Sequence, residues 1–141
     1  MRICRIAIKN FANFDSVDFA TDDSLVVVGE NKAGKSNMLR ALRLVLDPTL
    51  PDRERQLGLE HFWDGLGADK LGYEVRVEVD LTDFEDNDNL LAVLGGFLVS
   101  TKSSLVARLT YLFRPRAELK GKEPASLADY EFLVFGGEEE A

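Results

Sequence analysis

The chain has 141 residues, 45% of them hydrophobic, and a net charge of −8 at pH 7. This composition suits one soluble globular domain with its own core and excludes disorder over most of the length. It contains no apolar run near the roughly 18 to 20 residues that a membrane helix needs. The start of the chain alternates where a secretory signal would be continuously apolar, so a cytoplasmic location is expected. An acidic surface repels phosphate backbones, so any main DNA-binding surface is expected outside these residues or in a local basic patch.

The first predicted elements are strands. Period-two alternation predicts a strand over Arg2–Lys9, a turn over Asn10–Phe14 and a second strand over Val17–Ala20. Cys4, the only cysteine, is expected to be a small buried hydrophobe. The run of apolar residues at Leu25–Val28 predicts a strand that is buried on both faces, as in a parallel sheet.

A helix is predicted next. Apolar residues at helical spacing predict it over Lys35–Leu46, and Asp47-Pro48 ends it. Thr49–Lys70 is a long connection, with a short helix expected near Glu60–Trp63, and a connection of this length is often functional.

The second half of the chain is expected to add strands to the fold. The predicted elements are a strand over Tyr73–Leu81, an acidic turn over Asp83–Asp88, a helix over Asn89–Val99, a strand over Ser104–Phe113, a polar loop over Arg114–Ser126, a strand over Tyr130–Phe135 and a frayed acidic end over Gly136–Ala141. Gly95-Gly96 weakens the case for the helix.

One motif carries clear chemistry. Residues 29–36, GENKAGKS, match G-x-x-x-x-G-K-[ST] at every fixed position, with a predicted buried strand before them and an amphipathic helix after them. A chance glycine-rich turn would rarely reproduce both the full motif and its context. The predicted phosphate-binding residues, extended by one position, are Gly29, Glu30, Asn31, Lys32, Ala33, Gly34, Lys35, Ser36 and Asn37.

The motif predicts a site for ATP and Mg²⁺. Gly29 and Gly34 permit close approach of the backbone to phosphate, and the loop N–H groups and the positive helix end attract it. Lys35 is the predicted catalytic residue, bridging the β- and γ-phosphate oxygens, and the Ser36 hydroxyl is the predicted Mg²⁺ ligand.

The residues before the motif carry a family resemblance. IAIKNFANF at residues 6–14, a second strand and then LVVVGEN at residues 25–31 resemble the opening of RecF/SMC-like ATPases. The GEN start, Ser36-Asn37, LVLDPTL at residues 44–50 and EHFWDGL at residues 60–66 look more specifically like the OLD (overcoming lysogenization defect) family of nucleases. The resemblance covers most of the chain, but its specific motifs lie in the first third.

This resemblance implies an α/β fold, the N-terminal part of an ABC/SMC-like P-loop head, with a mixed sheet and an antiparallel β-layer. Residues 1–135 would be a partial ATPase domain and 136–141 an acidic tail. The complete protein would be an ATP-dependent DNA endonuclease, homodimeric through its heads, with a Toprim nuclease domain and, as in several relatives, a role in defence against phage.

The sequence departs from the family pattern by omission. It contains no Walker B strand ending in Asp-Glu, no Ser-Gly-Gly-type signature helix and no Toprim carboxylates, and His61 is misplaced for a switch histidine. The chain alone is therefore expected to hydrolyse little ATP and to self-associate. Two rivals stay open, namely a RecF/SMC-like repair or chromosome-handling ATPase without nuclease activity and a non-catalytic nucleotide-binding or dimerisation module.

Several other residues are weaker candidates for the site and also have an ordinary structural explanation. Lys32 either lies near the phosphates, where related enzymes bind a monovalent cation, or is exposed on the rim of the loop. Asn13 is a weak candidate for a base or ribose contact, whereas Phe11 and Phe14 are expected in the core. Gln56 is expected at the surface, and Trp63 with Phe62 is expected to anchor the long connection.

Two charged clusters are also expected to be solvated. The acids Asp80, Asp83, Glu85, Asp86 and Asp88 fit no metal-binding loop and are expected to form a solvated turn. The basic group Arg114, Arg116, Lys120 and Lys122 could contact DNA or a partner, but such a run is usually solvated.

Overall fold

The computed structural model describes residues 2–21, 32–67, 70–99 and 105–137, with backbone alone for residues 32–35. Within these residues the strands are β1 Arg2–Phe11, β2 Phe14–Ala20, β3 Val75–Thr82, β4 Leu98–Val99, β5 Val106–Pro115 and β6 Tyr130–Gly136. The α-helices are α1 Lys32–Leu46, α2 Asp52–Arg55 and α3 Asp88–Leu94, and short 3-10 helices include Leu59–His61 and Asp64–Leu66. No helix in the described ranges is long and apolar enough to cross a membrane.

The described strands form one antiparallel sheet. Its order is β2-β1-β3-β5, and β4 and β6 share the free edge of β5. The register places Ile8 opposite Val77 and Val79 opposite Leu109, which aligns apolar side chains on one face. The predicted antiparallel layer is thus confirmed, whereas the strand predicted at Leu25–Val28 lies outside the described residues.

The core lies between this sheet face and α1, which packs on β3 and β5. The helix contributes Met38, Ala41, Leu44 and Val45, all buried and at helical spacing, whereas Leu39 and Leu46 are exposed. Fully buried side chains of the sheet face them: Ile6, Ile8, Val75, Val77, Val79, Tyr111 and Phe113.

The opposite sheet face carries an ion-pair network. Arg108 donates two hydrogen bonds to the Asp80 carboxylate, at 2.8 and 3.1 Å. Arg5 bridges Asp18 on β2 and Glu78 on β3, at 2.8 and 3.1 Å. The hydrogen bond with Arg5 lowers the pKa of Asp18, and the hydrogen bond with Asp80 raises that of Arg108. The network therefore joins four neighbouring strands through charged side chains.

Several predicted boundaries are corrected. The helix predicted to Val99 ends at Leu94, because a 3-10 turn begins at Gly95 and leads into β4. Asp88 begins α3 and is not part of the preceding turn, and Asn87 caps that helix by accepting hydrogen bonds from its first N–H groups. Gly136, placed in the frayed end, is the last residue of β6.

Other differences concern burial. Cys4, predicted to be buried, is only half-buried and lies where the pairing of β1 with β3 shifts register, between Ile3 and Arg5. Tyr73, predicted to begin a strand, precedes β3 and is exposed, although its carbonyl accepts a hydrogen bond from the Tyr130 hydroxyl at 2.6 Å.

Candidate phosphate-binding site

The predicted phosphate loop meets the described structure at the start of α1. Gly29, Glu30 and Asn31 lie outside the described residues. The helix begins at Lys32, three residues before the predicted start, so the backbone of residues 32–35 forms its first turn. The apolar pattern begins only at Met38 and could not reveal that turn.

The first turn of α1 is suited to an anion. Its N–H groups have no acceptor within the helix, and this turn contains no acidic residue that could supply one. The sequence instead has lysines at positions 32 and 35 of this turn, where the helix dipole is positive. Each such cation destabilises an isolated helix by about 0.3 to 1 kcal/mol. A bound anion would offset that cost. The sequence of this turn therefore suits anion binding better than it suits an isolated helix.

The two residues that follow differ in their surroundings. Ser36 is exposed on the first part of the helix. Asn37 is half-buried, and its Nδ2 donates a hydrogen bond to Oδ1 of Asn13 at 2.9 Å. This bond ties the helix start to the turn between β1 and β2, two segments separated by 24 positions.

That turn is held firmly. Asn10 and Ala12 both have left-handed backbone angles, with φ of 59° and 53°. The side chain of buried Asn10 donates to the Glu74 carbonyl at 3.0 Å. The turn also exchanges backbone hydrogen bonds with the long connection, from Ala12 N–H to His61 and from Trp63 N–H to Asn10, at 2.8 and 3.0 Å. The turn that positions Asn13 is therefore braced from two sides.

The long connection is anchored by aromatic packing. Phe62 is fully buried, and its ring contacts those of Phe113 and Tyr130 at centroid distances of 6.1 and 5.9 Å. Phe11 is fully buried too and forms a bridge with Phe62, while Phe14 packs at the edge of the core. The predictions for these aromatic residues are confirmed, and Trp63 is half-buried beside them.

The far end of α1 is held by a residue that the sequence did not single out. Arg55, only 9% exposed, donates to the carbonyls of Leu44, Leu50 and Asp47 at 2.9, 2.9 and 2.7 Å. The Tyr111 hydroxyl on β5 in turn donates to the Arg55 carbonyl, and burial strongly raises the pKa of Tyr111. Arg55 therefore caps α1 and joins it to the sheet.

The remaining candidate residues are dispersed. Asp80 is buried in the ion-pair network, so its assignment to a solvated turn was wrong, because it alternates with Val79 and Leu81 on β3. The other four acids of that group are exposed, and the described residues include no acidic, histidine or cysteine cluster that could hold a metal ion. Gln56 is exposed, as predicted. In the basic group, Arg114 pairs with Glu131 at 3.6 Å.

His61 has a structural role at the connection. Its Nδ1 accepts a hydrogen bond from the Gly58 N–H at 2.9 Å, which requires an unprotonated nitrogen. Burial lowers its pKa below 6.5, a shift that Glu60 opposes and Arg40 reinforces.

Comparison with known proteins identifies relatives. The sequence profile described as AAA ATPase domain matches residues 1–123. Endonuclease GajA of Bacillus cereus is 31% identical over 108 residues, covering 74% of this chain and 18% of GajA. The chromosome partition protein Smc of Cereibacter sphaeroides is 33% identical over 112 residues, covering 78% of this chain and 9% of Smc. The chain thus spans less than a fifth of either relative.

Proposed function

Since this chain belongs to the AAA ATPase domain family, we propose that it binds Mg²⁺·ATP through residues 29–37. The observation that carries the proposal is the complete G-x-x-x-x-G-K-S motif overlapping the first turn of α1, where N–H groups without helical acceptors and two lysines coincide.

Each residue of the site has a proposed role. The Gly29 and Gly34 positions let the backbone approach phosphate, and Lys35 bridges the β- and γ-phosphate oxygens. The exposed Ser36 hydroxyl is a hard oxygen donor, the kind that Mg²⁺ prefers, so the residue fits the metal. The metal would neutralise charge on the phosphates when bound.

Asn37 is proposed to position the site. Its Nδ2 is already engaged by Asn13, so its hydrogen bond holds the turn between β1 and β2 against the start of α1. Asn13 then sets where that turn stands relative to the bound nucleotide.

The complete protein is proposed to be an OLD-like, ATP-dependent DNA endonuclease acting as a homodimer. The support is the resemblance at residues 29–31, 36–37, 44–50 and 60–66 together with the similarity to a protein named an endonuclease. The similarity to Smc favours a second candidate, a chromosome-handling ATPase without nuclease activity. DNA contact would lie mainly outside this acidic segment.

Calorimetry tests the binding step. Wild-type chain should bind Mg²⁺·ATP, Lys35→Ala should lose most of that affinity, and Lys120→Ala, the same change at an exposed lysine of the basic loop, should bind normally. Ser36→Ala should retain ATP binding but lose its Mg²⁺ dependence. Equal affinity in wild type and Lys35→Ala would exclude residues 29–36 as the site.

The complete protein separates the two candidates. The endonuclease proposal predicts ATP-responsive cleavage of plasmid DNA, with turnover of ATP lost in Lys35→Ala. ATP turnover without any cleavage would support the Smc-like alternative, and ATP binding without turnover would support a non-catalytic module.

A further inference from the structure

A pocket lies beside the second half of α1, which contributes Arg40, Arg43 and Leu44 to its lining. It occupies the space between α1, α2 and the 3-10 helix Leu59–His61, with a volume of about 360 Å³. This volume falls within the range of small-molecule sites, about 300 to 1,000 Å³.

The floor of the pocket is apolar. Leu44, Leu50 and Leu57 line it and are 2%, 8% and 4% exposed. These buried side chains form a dry apolar surface against which a flat ring or a short aliphatic group could pack through van der Waals contacts.

The rim of the pocket is cationic. Arg40, Arg43 and Arg53 line it, with Glu54 as the one acidic lining residue. Arg43 forms an ion pair with Asp47 at 3.3 Å. Within the described part of the chain, the guanidinium groups of Arg40 and Arg53 have no hydrogen-bond or ion-pair partner. Two unpaired guanidinium groups beside one pocket contrast with a chain whose net charge is −8.

The chemistry of these groups defines a ligand class. Guanidinium groups bind phosphate through paired hydrogen bonds, which are short and charge-assisted. We propose that this pocket binds a small organic phosphate, with its phosphate on Arg40 and Arg53 and its apolar or aromatic part on the leucine floor. The described residues that line the pocket include none of residues 32–37, so the proposal is tested independently of ATP binding at the predicted phosphate loop. Because α1, α2 and His61 line the pocket, a bound ligand would also hold these segments together and stabilise the connection that braces the β1–β2 turn.

Titrations followed by NMR test the proposal. The probes are AMP and inorganic phosphate, added without Mg²⁺ to the ¹⁵N-labelled full chain. AMP should shift the side-chain Nε–H signals of Arg40 and Arg53, and inorganic phosphate should shift the same signals more weakly because it cannot cover the leucines.

Variants locate the binding. Arg40→Gln with Arg53→Gln should weaken AMP binding about tenfold or more. Lys120→Gln with Lys122→Gln removes the same charge from another exposed segment and should change affinity less than about twofold. Lys35→Ala should leave the Arg40 and Arg53 shifts intact. Signal dispersion like that of wild type shows that each variant is folded.

Four results would overturn the proposal. These are the absence of shifts at Arg40 and Arg53, equal weakening by both double variants, loss of the shifts in Lys35→Ala, and binding of a short single-stranded oligonucleotide without binding of AMP. Equal weakening by both double variants would indicate non-specific attraction. Loss of the shifts in Lys35→Ala would indicate binding at residues 29–36 alone, and binding of the oligonucleotide without AMP would indicate a nucleic-acid surface.

Discussion

Arg55→Met should destabilise the domain strongly, because one guanidinium holds three backbone carbonyls at the end of α1. Hydrogen bonds to a charged group contribute about 1.5 to 3 kcal/mol each, so three would total at most about 9 kcal/mol. Two effects reduce this figure. The buried cation costs several kcal/mol to desolvate, and methionine retains the apolar contacts of the stem. The net loss expected in the free energy of unfolding is about 2 to 4 kcal/mol.

Urea unfolding followed by circular dichroism measures this loss. Arg53→Met is the matched control, since Arg53 lies in the same helix, is exposed and makes no hydrogen bond to the described end of α1. That change should remain within about 0.5 kcal/mol of wild type. Arg55→Lys should recover only part of the loss, because an ammonium group cannot reach three carbonyls in a planar fork. An Arg55→Met variant as stable as Arg53→Met would refute the capping role.

His61, Asp80 and the hydrogen-bonded pair Asn13–Asn37 provide three further tests of the structure. Burial lowers the pKa of His61, so the unfolded chain binds a proton at this histidine more tightly than the folded chain does. The free energy of unfolding should therefore fall as the pH drops below 6.5 and become constant below the folded pKa of His61. His61→Gln should lack this part of the pH dependence. Asp80→Asn should cost about 1.5 to 3 kcal/mol, because half-buried Arg108 loses the carboxylate that accepts two of its hydrogen bonds. Asp83→Asn, at an exposed pair, should cost less than about 1 kcal/mol. A double-mutant cycle of Asn13→Ala and Asn37→Ala should give a coupling of about 0.5 to 1.5 kcal/mol in unfolding.

One measurement can contradict each of these three predictions. The histidine prediction fails if the ring proton of His61, the only histidine, titrates at or above 6.5. The Asp80 prediction fails if Asp80→Asn and Asp83→Asn unfold at the same urea concentration. Additive effects of the two asparagine changes would show that the hydrogen bond between them is not formed in solution.

Periodicity predicted most closely the long elements with one buried face. β1, β3 and α1 are examples, because alternating or helical burial repeats often enough in them to be detected. The four-residue α2 and the 3-10 helices contain too few repeats, so the connection over residues 49–70 was predicted as almost structureless. Its order depends on Phe62 packing on Phe113 and Tyr130, residues remote in sequence.

The candidate site likewise has a part that the sequence predicts and parts that it does not. Phosphate recognition uses N–H groups of consecutive residues, so the motif at residues 29–36 is local and can be found from sequence alone. Its support is not local, since Asn13 meets Asn37 only after the β1–β2 turn folds back, and Arg55 meets Leu44 only after α2 reverses the chain. Strand register determines the ion pairs of the sheet, because Arg108 lies opposite Asp80 only in the observed pairing of β3 with β5. Substitutions at these supports should therefore change the stability of the domain first and nucleotide affinity second, whereas Lys35→Ala should do the reverse.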